Sequence, residues 1–295
     1  MTKTALLVIY NHRYDKNIPR IEEMYRGRFT HVFHIVPFYD GGLPNVLPVY
    51  ESSFRFQGYV SQACTHLRGK GFTHFFVVAD DMLLNPRLTE ENYLQEIGLG
   101  TGDCYIDSLQ PLQELDTPWR TPEAMAWRLR QKGVEVEHIL PPRQEAEACF
   151  ARHGLPTSAI PVRPFLTDPH PKFLLRYLRN LRRRRLSYPL VSGYSDLLIL
   201  PAGVMDRFCL YCGVFAATGL FVELAIPTAL VLASERILTA ADTRLGGTPM
   251  WPDHKTKIHP ADALRAAHRG NLAGLMEAFP RKALFLHPIK LSKWK

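Results

Sequence analysis

From Phe72 to Ala79 the chain reads Phe-Thr-His-Phe-Phe-Val-Val-Ala, and Asp80 and Asp81 follow at once. β-Branched and aromatic residues at this density favour extended backbone, so the run reads as a buried strand. A buried strand that delivers acids at its carboxyl end places them in the crevice where open α/β sheets bind ligands. Adjacent carboxylates repel, and a divalent cation bridging to phosphate oxygens is the usual compensation. Capping of a helix that follows is the alternative role for the pair.

The remaining strand and helix signals alternate with this one. Leu6 to Tyr10, His31 to Val36 and Leu197 to Leu200 read as strands, and Ala283 to His287 as a late strand ending in histidine. Helices are expected over Ile18 to Arg28, Phe54 to Leu67, Thr121 to about Gly133, Val204 to Ala217 and Phe221 to Ala233. Strand–helix–strand spacing in the first third predicts a mostly parallel sheet with right-handed crossovers. The chain has no GxGxxG and no GxxxxGK[ST], so a nucleotide would be held by side chains and a metal rather than by a glycine cradle.

With 295 residues and 46% hydrophobic content, the chain can build one large domain or two modest ones. A net charge of +8 implies an acidic partner: a nucleotide, a phospholipid surface or nucleic acid. The excess is concentrated between residues 172 and 185, where Lys172, Arg176, Arg179 and Arg182 to Arg185 occur with no acid among them. In the stretch 171–186, Phe173, Leu174, Tyr177, Leu178 and Leu181 share a helical stripe, the pattern of a basic amphipathic helix that lies on a membrane surface; packing of the stripe on the domain is the alternative. Five cysteines without regular spacing do not make a disulfide framework, and the lone Cys209-Leu-Tyr-Cys212 lacks the second pair of a zinc site. Buried thiols in a reducing cytoplasm are expected. The apolar run Phe208 to Val222 is short for a membrane span and ends at Glu223, so it reads as core helix.

Ala79-Asp80-Asp81 resembles the Asp-x-Asp signature of GT-A-fold glycosyltransferases, and Asn85-Pro86-Arg87-Leu88 looks like the stretch that follows it in bacterial sugar transferases. The resemblance implies that Asp81 ligates Mg²⁺ or Mn²⁺, that this ion grips the diphosphate of a sugar nucleotide, and that Asp80 contacts the ribose or the ion through water. The chain departs from the full triplet at Ala79, where the family has Asp. At the far end, His287-Pro-Ile-Lys290-Leu-Ser-Lys293-Trp294 is similar to a closing His-x-x-Gly-x-x-Lys-Pro-Trp, with Lys290 in place of Gly and the Pro missing. This implies His287 as a further metal ligand and Lys293, with Lys290, on the diphosphate; a frayed basic tail is the alternative. Imidazole suits Mn²⁺ beside carboxylates, and lysine suits a diphosphate as a point charge.

Glu223 is a lone acid between apolar runs, which is costly to bury without a role or a partner. Its position well after the metal motif is that of the base which, in inverting family members, takes the acceptor hydroxyl proton. Asp196, in a polar turn before a short strand, competes for that role, and helix capping or ion pairing is the structural alternative for Glu223. Nucleotide contacts are expected after the first two strands, at Tyr10, Asn11 and His12 and at Asp40.

The expectation is therefore an α/β, GT-A-like unit, a mostly parallel open sheet flanked by helices. Residues 1–120 form its nucleotide-sugar half; residues 121–295 form an acceptor half with the basic helix and a C-terminal closing segment. Its expected activity is metal-dependent transfer of a sugar from a nucleotide diphosphate, UDP favoured, to a hydroxyl of a glycan or lipid-linked acceptor in surface polysaccharide synthesis. Inversion is favoured; in a retaining enzyme Glu223 would position substrate instead. The expected location is cytoplasmic, peripheral to the inner membrane face. A nucleotidyltransferase is the alternative enzyme, and a nucleic-acid binder using the arginine run is the alternative class. No DNA- or RNA-reading motif accompanies that run, so nucleic acid is not an expected partner.

Overall fold

The computed structural model describes residues 3–251 and 258–295. In chain order it contains β1 (Thr4–Ile9), α1 (Ile18–Tyr25), β2 (His31–Pro37), β3 (Val46–Val49), α2 (Gln57–Leu67), β4 (His74–Ala79), β5 (Leu83–Leu84), α3 (Tyr93–Ile97), β6 (Cys104–Ile106) and β7 (Leu109–Pro111). There follow α4 (Thr121–Ala126), α5 (Arg143–Arg152), α6 (Arg163–Thr167), α7 (Pro171–Arg179), β8 (Val191–Gly193), β9 (Leu197–Pro201), α8 (Ala202–Ala217) and α9 (Val222–Ala233). The chain closes with β10 (Ile237–Leu238), β11 (Gly246–Pro249), α10 (Pro260–Ala267), α11 (Leu272–Glu277) and β12 (Ala283–His287).

Seven strands form the central sheet in the order β10-β6-β9-β4-β1-β2-β3. Neighbours are parallel except where β9 runs against β4 and β6. Residues of β1 are buried on both faces and alternate between two cores. Ala5, Leu7 and Ile9 meet α2, α8 and α9 on one face; Leu6, Val8 and Tyr10 meet α1, α3 and α11 on the other. Strands covered on both sides lose the polar alternation of a half-exposed sheet, which is why β1 and β4 read as unbroken apolar runs. A second sheet, β11-β12-β5, packs into the second core, and β7 pairs with β8. Residues on both sides of position 120 share the main sheet, because β9 and β10 join strands from the first third.

Several boundaries differ from the sequence expectation. The first helix stops at Tyr25, with Arg26 extended and Gly27 at φ +71°, short of Arg28. The helix expected from Phe54 is a 3₁₀ turn over Ser53–Arg55 and then α2. α4 stops at Ala126 rather than near Gly133: Trp127 turns extended, and its buried indole Nε1 donates to the Thr218 carbonyl at 3.1 Å. The basic helix covers only Pro171–Arg179, followed by a 3₁₀ turn over Leu181–Arg183. Asp80 and Asp81 cap no helix, since β5 follows them. Gly219, at φ +70°, breaks the apolar stretch between α8 and α9, and among the described residues no helix is long and apolar enough to cross a membrane. Cys209 and Cys212 are buried free thiols on α8.

Gly193 closes β8 against β7, and a Cβ there would overlap the Ser108 carbonyl oxygen and lie 3.1 Å from Pro227 Cβ. The carbonyl is backbone and cannot swing aside. Gly193→Ala is therefore expected to destabilise the fold by about 1–3 kcal/mol, as overpacking does, measurable as a lower midpoint in urea titration.

Candidate functional site

The site begins where β4 ends. Asp80 N donates to the Ile9 carbonyl at 2.8 Å and Ala79 N to the Asp196 carbonyl at 2.9 Å, so the exits of β1 and β4 and the start of β9 are tied together. β5 pairs antiparallel with β12, setting Leu84 opposite Phe285 and Leu83 opposite Leu286. That register brings the end of β12 back to the turn that carries the acids. There His287 Nε2 meets Asp81 Oδ1 at 2.9 Å, and Ile289 N donates to the Asp81 carbonyl at 2.6 Å. His287 Nδ1 lies 2.6 Å from the Tyr194 hydroxyl, whose ring stacks on Phe285 with centroids 5.4 Å apart.

Charge is concentrated around this imidazole. Burial alone would push His287 down, but the hydrogen bond and charge of Asp81, with Asp196 and Asp80, carry the net shift upward. When protonated, the ring donates from Nε2 to Asp81 and from Nδ1 to Tyr194. Burial and the neighbouring Asp81 push the Asp80 carboxyl up to about 7, against an opposing hydrogen bond from the Asn11 backbone. Burial also raises Asp196, with His287 opposing and Asp81 adding to it.

A cleft of about 530 Å³ opens on this cluster. Its lining includes Asn11, His12, Asp81, Asp196, Glu223, His287, Lys290, Lys293 and Trp294, residues the sequence singled out from both ends of the chain. It does not include three others. Tyr10 is buried, its hydroxyl 2.9 Å from His34 Nδ1, and so takes no part in the lining. Asp40 is exposed and ion-paired to Arg13, outside the cleft. Asp80 sits buried behind Asp81. The C-terminal segment is anchored rather than frayed: Trp294 is buried, Arg20 donates to the Trp294 carbonyl at 2.8 Å, and Lys293 Nζ lies 3.7 Å from Asp262.

Glu223 stands apart from the aspartates, in the first turn of α9. Its Oε2 accepts the Trp119 indole N–H at 3.0 Å. Burial pushes its carboxyl up; the Trp119 bond and Arg120 oppose, and Asp196 adds to the rise. Arg120 lies 4.0 Å from the centroid of the Phe221 ring and 3.0 Å from Glu123. Phe54, Phe221 and Trp251 give the cleft aromatic walls. Sequence reasoning assigned no role to Tyr194, Trp119, Arg120 or Trp251. Only spacing in three dimensions reveals them, since Trp119 and Tyr194 are 104 and 93 residues from the groups they bond.

Asp81 Oδ1 and His287 Nε2, hydrogen-bonded at 2.9 Å, are the side chains that would hold a divalent cation here, which would take the place of the proton between them. Tyr194 would fix the imidazole orientation from the far nitrogen, as partners of metal-bound histidines do. Among the described residues no group of three or more His, Cys, Asp or Glu side chains is placed to hold a metal ion. Two protein ligands suit Mg²⁺ or Mn²⁺ when phosphate oxygens and water complete the shell.

A larger hollow of about 1350 Å³, which includes Lys3, Arg28 and Glu90 in its lining, lies away from the acids. Two of its charged groups serve the backbone: Glu90 accepts from Thr4 N and Thr30 N, and Arg28 donates to the Asn85 and Leu88 carbonyls.

No family model matches this sequence, and no curated protein matches it. Among solved structures, a mannose-1-phosphate geranyltransferase from Thermus thermophilus superposes with a TM-score of 0.35 at 11% identity, covering 80% of this chain and 73% of that one. A likeness at that score does not extend to shared chemistry.

The raised carboxyl of Asp80 makes a stability prediction. Its folded pKa of about 7 exceeds the ordinary 3.8, so the native state favours the proton, and stability is lost as pH rises from about 4 through 7. Asp80→Asn removes that penalty. Without added cation the variant is expected to be more stable than the parent at pH 8, by up to about 4 kcal/mol for a three-unit shift, and to gain little at pH 4, as read from urea midpoints.

Proposed function

We propose that the cleft transfers a sugar from a nucleotide diphosphate, UDP by preference, to a hydroxyl of a glycan or lipid-linked acceptor, in a GT-A-like scaffold. The observation that carries this reading is the meeting of Asp81 and His287 at 2.9 Å in a cleft that also holds Lys290, Lys293 and Glu223. A divalent cation held by Asp81 and His287 would offset the charge of the departing diphosphate. Lys290 and Lys293 bind the phosphate oxygens as point charges. Asn11 and His12, beyond β1, contact the nucleoside.

Glu223 is the base. It takes the proton of the acceptor hydroxyl as that oxygen bonds to the anomeric carbon and the bond from that carbon to the diphosphate oxygen breaks, releasing the nucleoside diphosphate with inversion. The Trp119 bond to Oε2 orients the carboxylate and leaves Oε1 for the proton. Asp196 is assigned to the acidic cluster rather than to proton transfer, because its charge is coupled to His287 and Asp81. The aromatic walls offer flat apolar faces to sugar rings.

Binding and turnover both test the reading. UDP with Mn²⁺ is expected to raise the melting temperature of the protein, and Asp81→Ala or His287→Ala to abolish the rise; no shift with any nucleoside diphosphate sinks the proposal. In turnover with a sugar nucleotide, the product separates the enzyme classes, since a nucleotidyltransferase at the same acids would release pyrophosphate instead of nucleoside diphosphate. Glu223→Gln is expected to lower kcat about 10²–10⁴-fold, the usual contribution of a general base. The base acts ionised, so the parent's rate should fall as pH drops, and burial places that limb above the ordinary carboxylate range.

A further inference from the structure

α7 is fixed to the body by one side only. Tyr177 is buried, its ring 4.4 Å from that of Phe165 on α6, and its hydroxyl donates to the Ile160 carbonyl at 3.2 Å. Ile160 N in turn donates to the Arg184 carbonyl at 2.7 Å, which pins the arginine run beside the helix. The apolar stripe read from sequence is thereby split. Leu175 and Leu178, one turn apart, are 56% and 52% exposed, and Leu181 is 45% exposed. Leu166 on the adjoining α6 is 64% exposed. These leucines do no packing that would explain them. Lys172, Arg176, Arg179 and Arg182 to Arg185 are exposed around them, and no acidic residue occurs between Asp168 and Asp196.

We propose that this mixed leucine–arginine face docks on an anionic lipid bilayer, with the leucines entering the interface and the seven cations meeting lipid phosphates. Charge complementarity selects the occupant. A surface that carries seven cations repels a second copy of itself, and a nucleic-acid backbone would satisfy the cations but leave the leucines in water. An anionic membrane surface rewards both. The position also suits the acceptor side of the cleft, for α7 packs against α4, and Trp119, just before α4, donates to Glu223. That link to a lipid-borne acceptor rests on the proposed transferase reading; the docking itself does not.

The test is co-sedimentation of the full chain with vesicles of phosphatidylcholine alone and of phosphatidylcholine containing phosphatidylglycerol, without any nucleotide. Expected is binding to the anionic vesicles, none to the neutral ones, and weakening at high salt. Two surface variants follow: Leu175→Ser with Leu178→Ser, and Arg182→Gln through Arg185→Gln. Each is expected to cut binding at least tenfold while leaving the melting temperature and the UDP/Mn²⁺ response unchanged. The proposal is overturned if the anionic vesicles fail to bind, if the leucine variant binds them as well as the parent, or if random single-stranded oligonucleotide binds more tightly and displaces them. A UDP/Mn²⁺ response without vesicle binding would remove the docking and leave the transferase reading standing; the reverse result would do the opposite.

Discussion

Asp81 Oδ1 and His287 Nε2 are 206 residues apart in sequence and 2.9 Å apart in space, and the geometry of the site depends on that contact. It exists because β5, which follows the acids, pairs antiparallel with β12 and brings the end of that strand back to them. A one-residue slip in that pairing would turn every β12 side chain to the opposite face and carry His287 away from the acids. Phe285, on the same strand, is held at the other side by the stacked ring of Tyr194, so imidazole and phenol are positioned as a unit. The large sheet would survive loss of the β5–β12 pair; the meeting of the two chain regions would not.

Three aspartates around one imidazole are an unfavourable arrangement for stability alone. The protein partly offsets it with a backbone N–H on Asp80 and with the His287 ring itself, hydrogen-bonded to Asp81 through Nε2 and to Tyr194 through Nδ1. Burial raises Asp80 and Asp196 first, with the charge of Asp81 adding, while the acids raise His287 against its own burial, so all three groups hold their protons more firmly than free side chains would. Titratable groups displaced together in a cleft are a mark of functional sites, where local electrostatic cost is tolerated for chemistry.

How much of this could be read in the sequence depended on whether the determining interaction was local. β1, β2 and β4 were legible because strands buried on both faces write apolar runs into the chain. β5, β10 and the glycine-rich β11 were not, since a partner strand rather than propensity makes them extended. The acids at the β4 exit and the terminal histidine carried local patterns and converge as expected. Tyr10 illustrates the limit: it lies one residue before Asn11, yet alternation along β1 sends it into the second core toward His34 while Asn11 reaches the cleft. Asp40 leaves β2 at the expected end, but Arg13 captures it outside. α4 ends where Trp127 turns away to bond Thr218, and the run after α7 is held by a tertiary bond from Ile160 N to the Arg184 carbonyl, contacts that no helical periodicity encodes.

Asp196 and Glu223 line the same cleft, and burial raises both, yet their surroundings divide their chemistry. Asp196 shares the field of His287 and Asp81, so its proton occupancy is set by whatever occupies that cluster. Glu223 takes part of its rise from Asp196 but is otherwise tied to an indole N–H and lies near an arginine, groups that do not change charge in the working pH range. On the proposed reading, the base must keep its affinity for the proton while charge moves elsewhere during the reaction. Glu223, with one oxygen fixed by Trp119 and its charge coupling drawn from Asp196 and Arg120 rather than from His287 and Asp81, suits that role better than Asp196. When two carboxylates occupy one pocket, the difference in their neighbours assigns their roles.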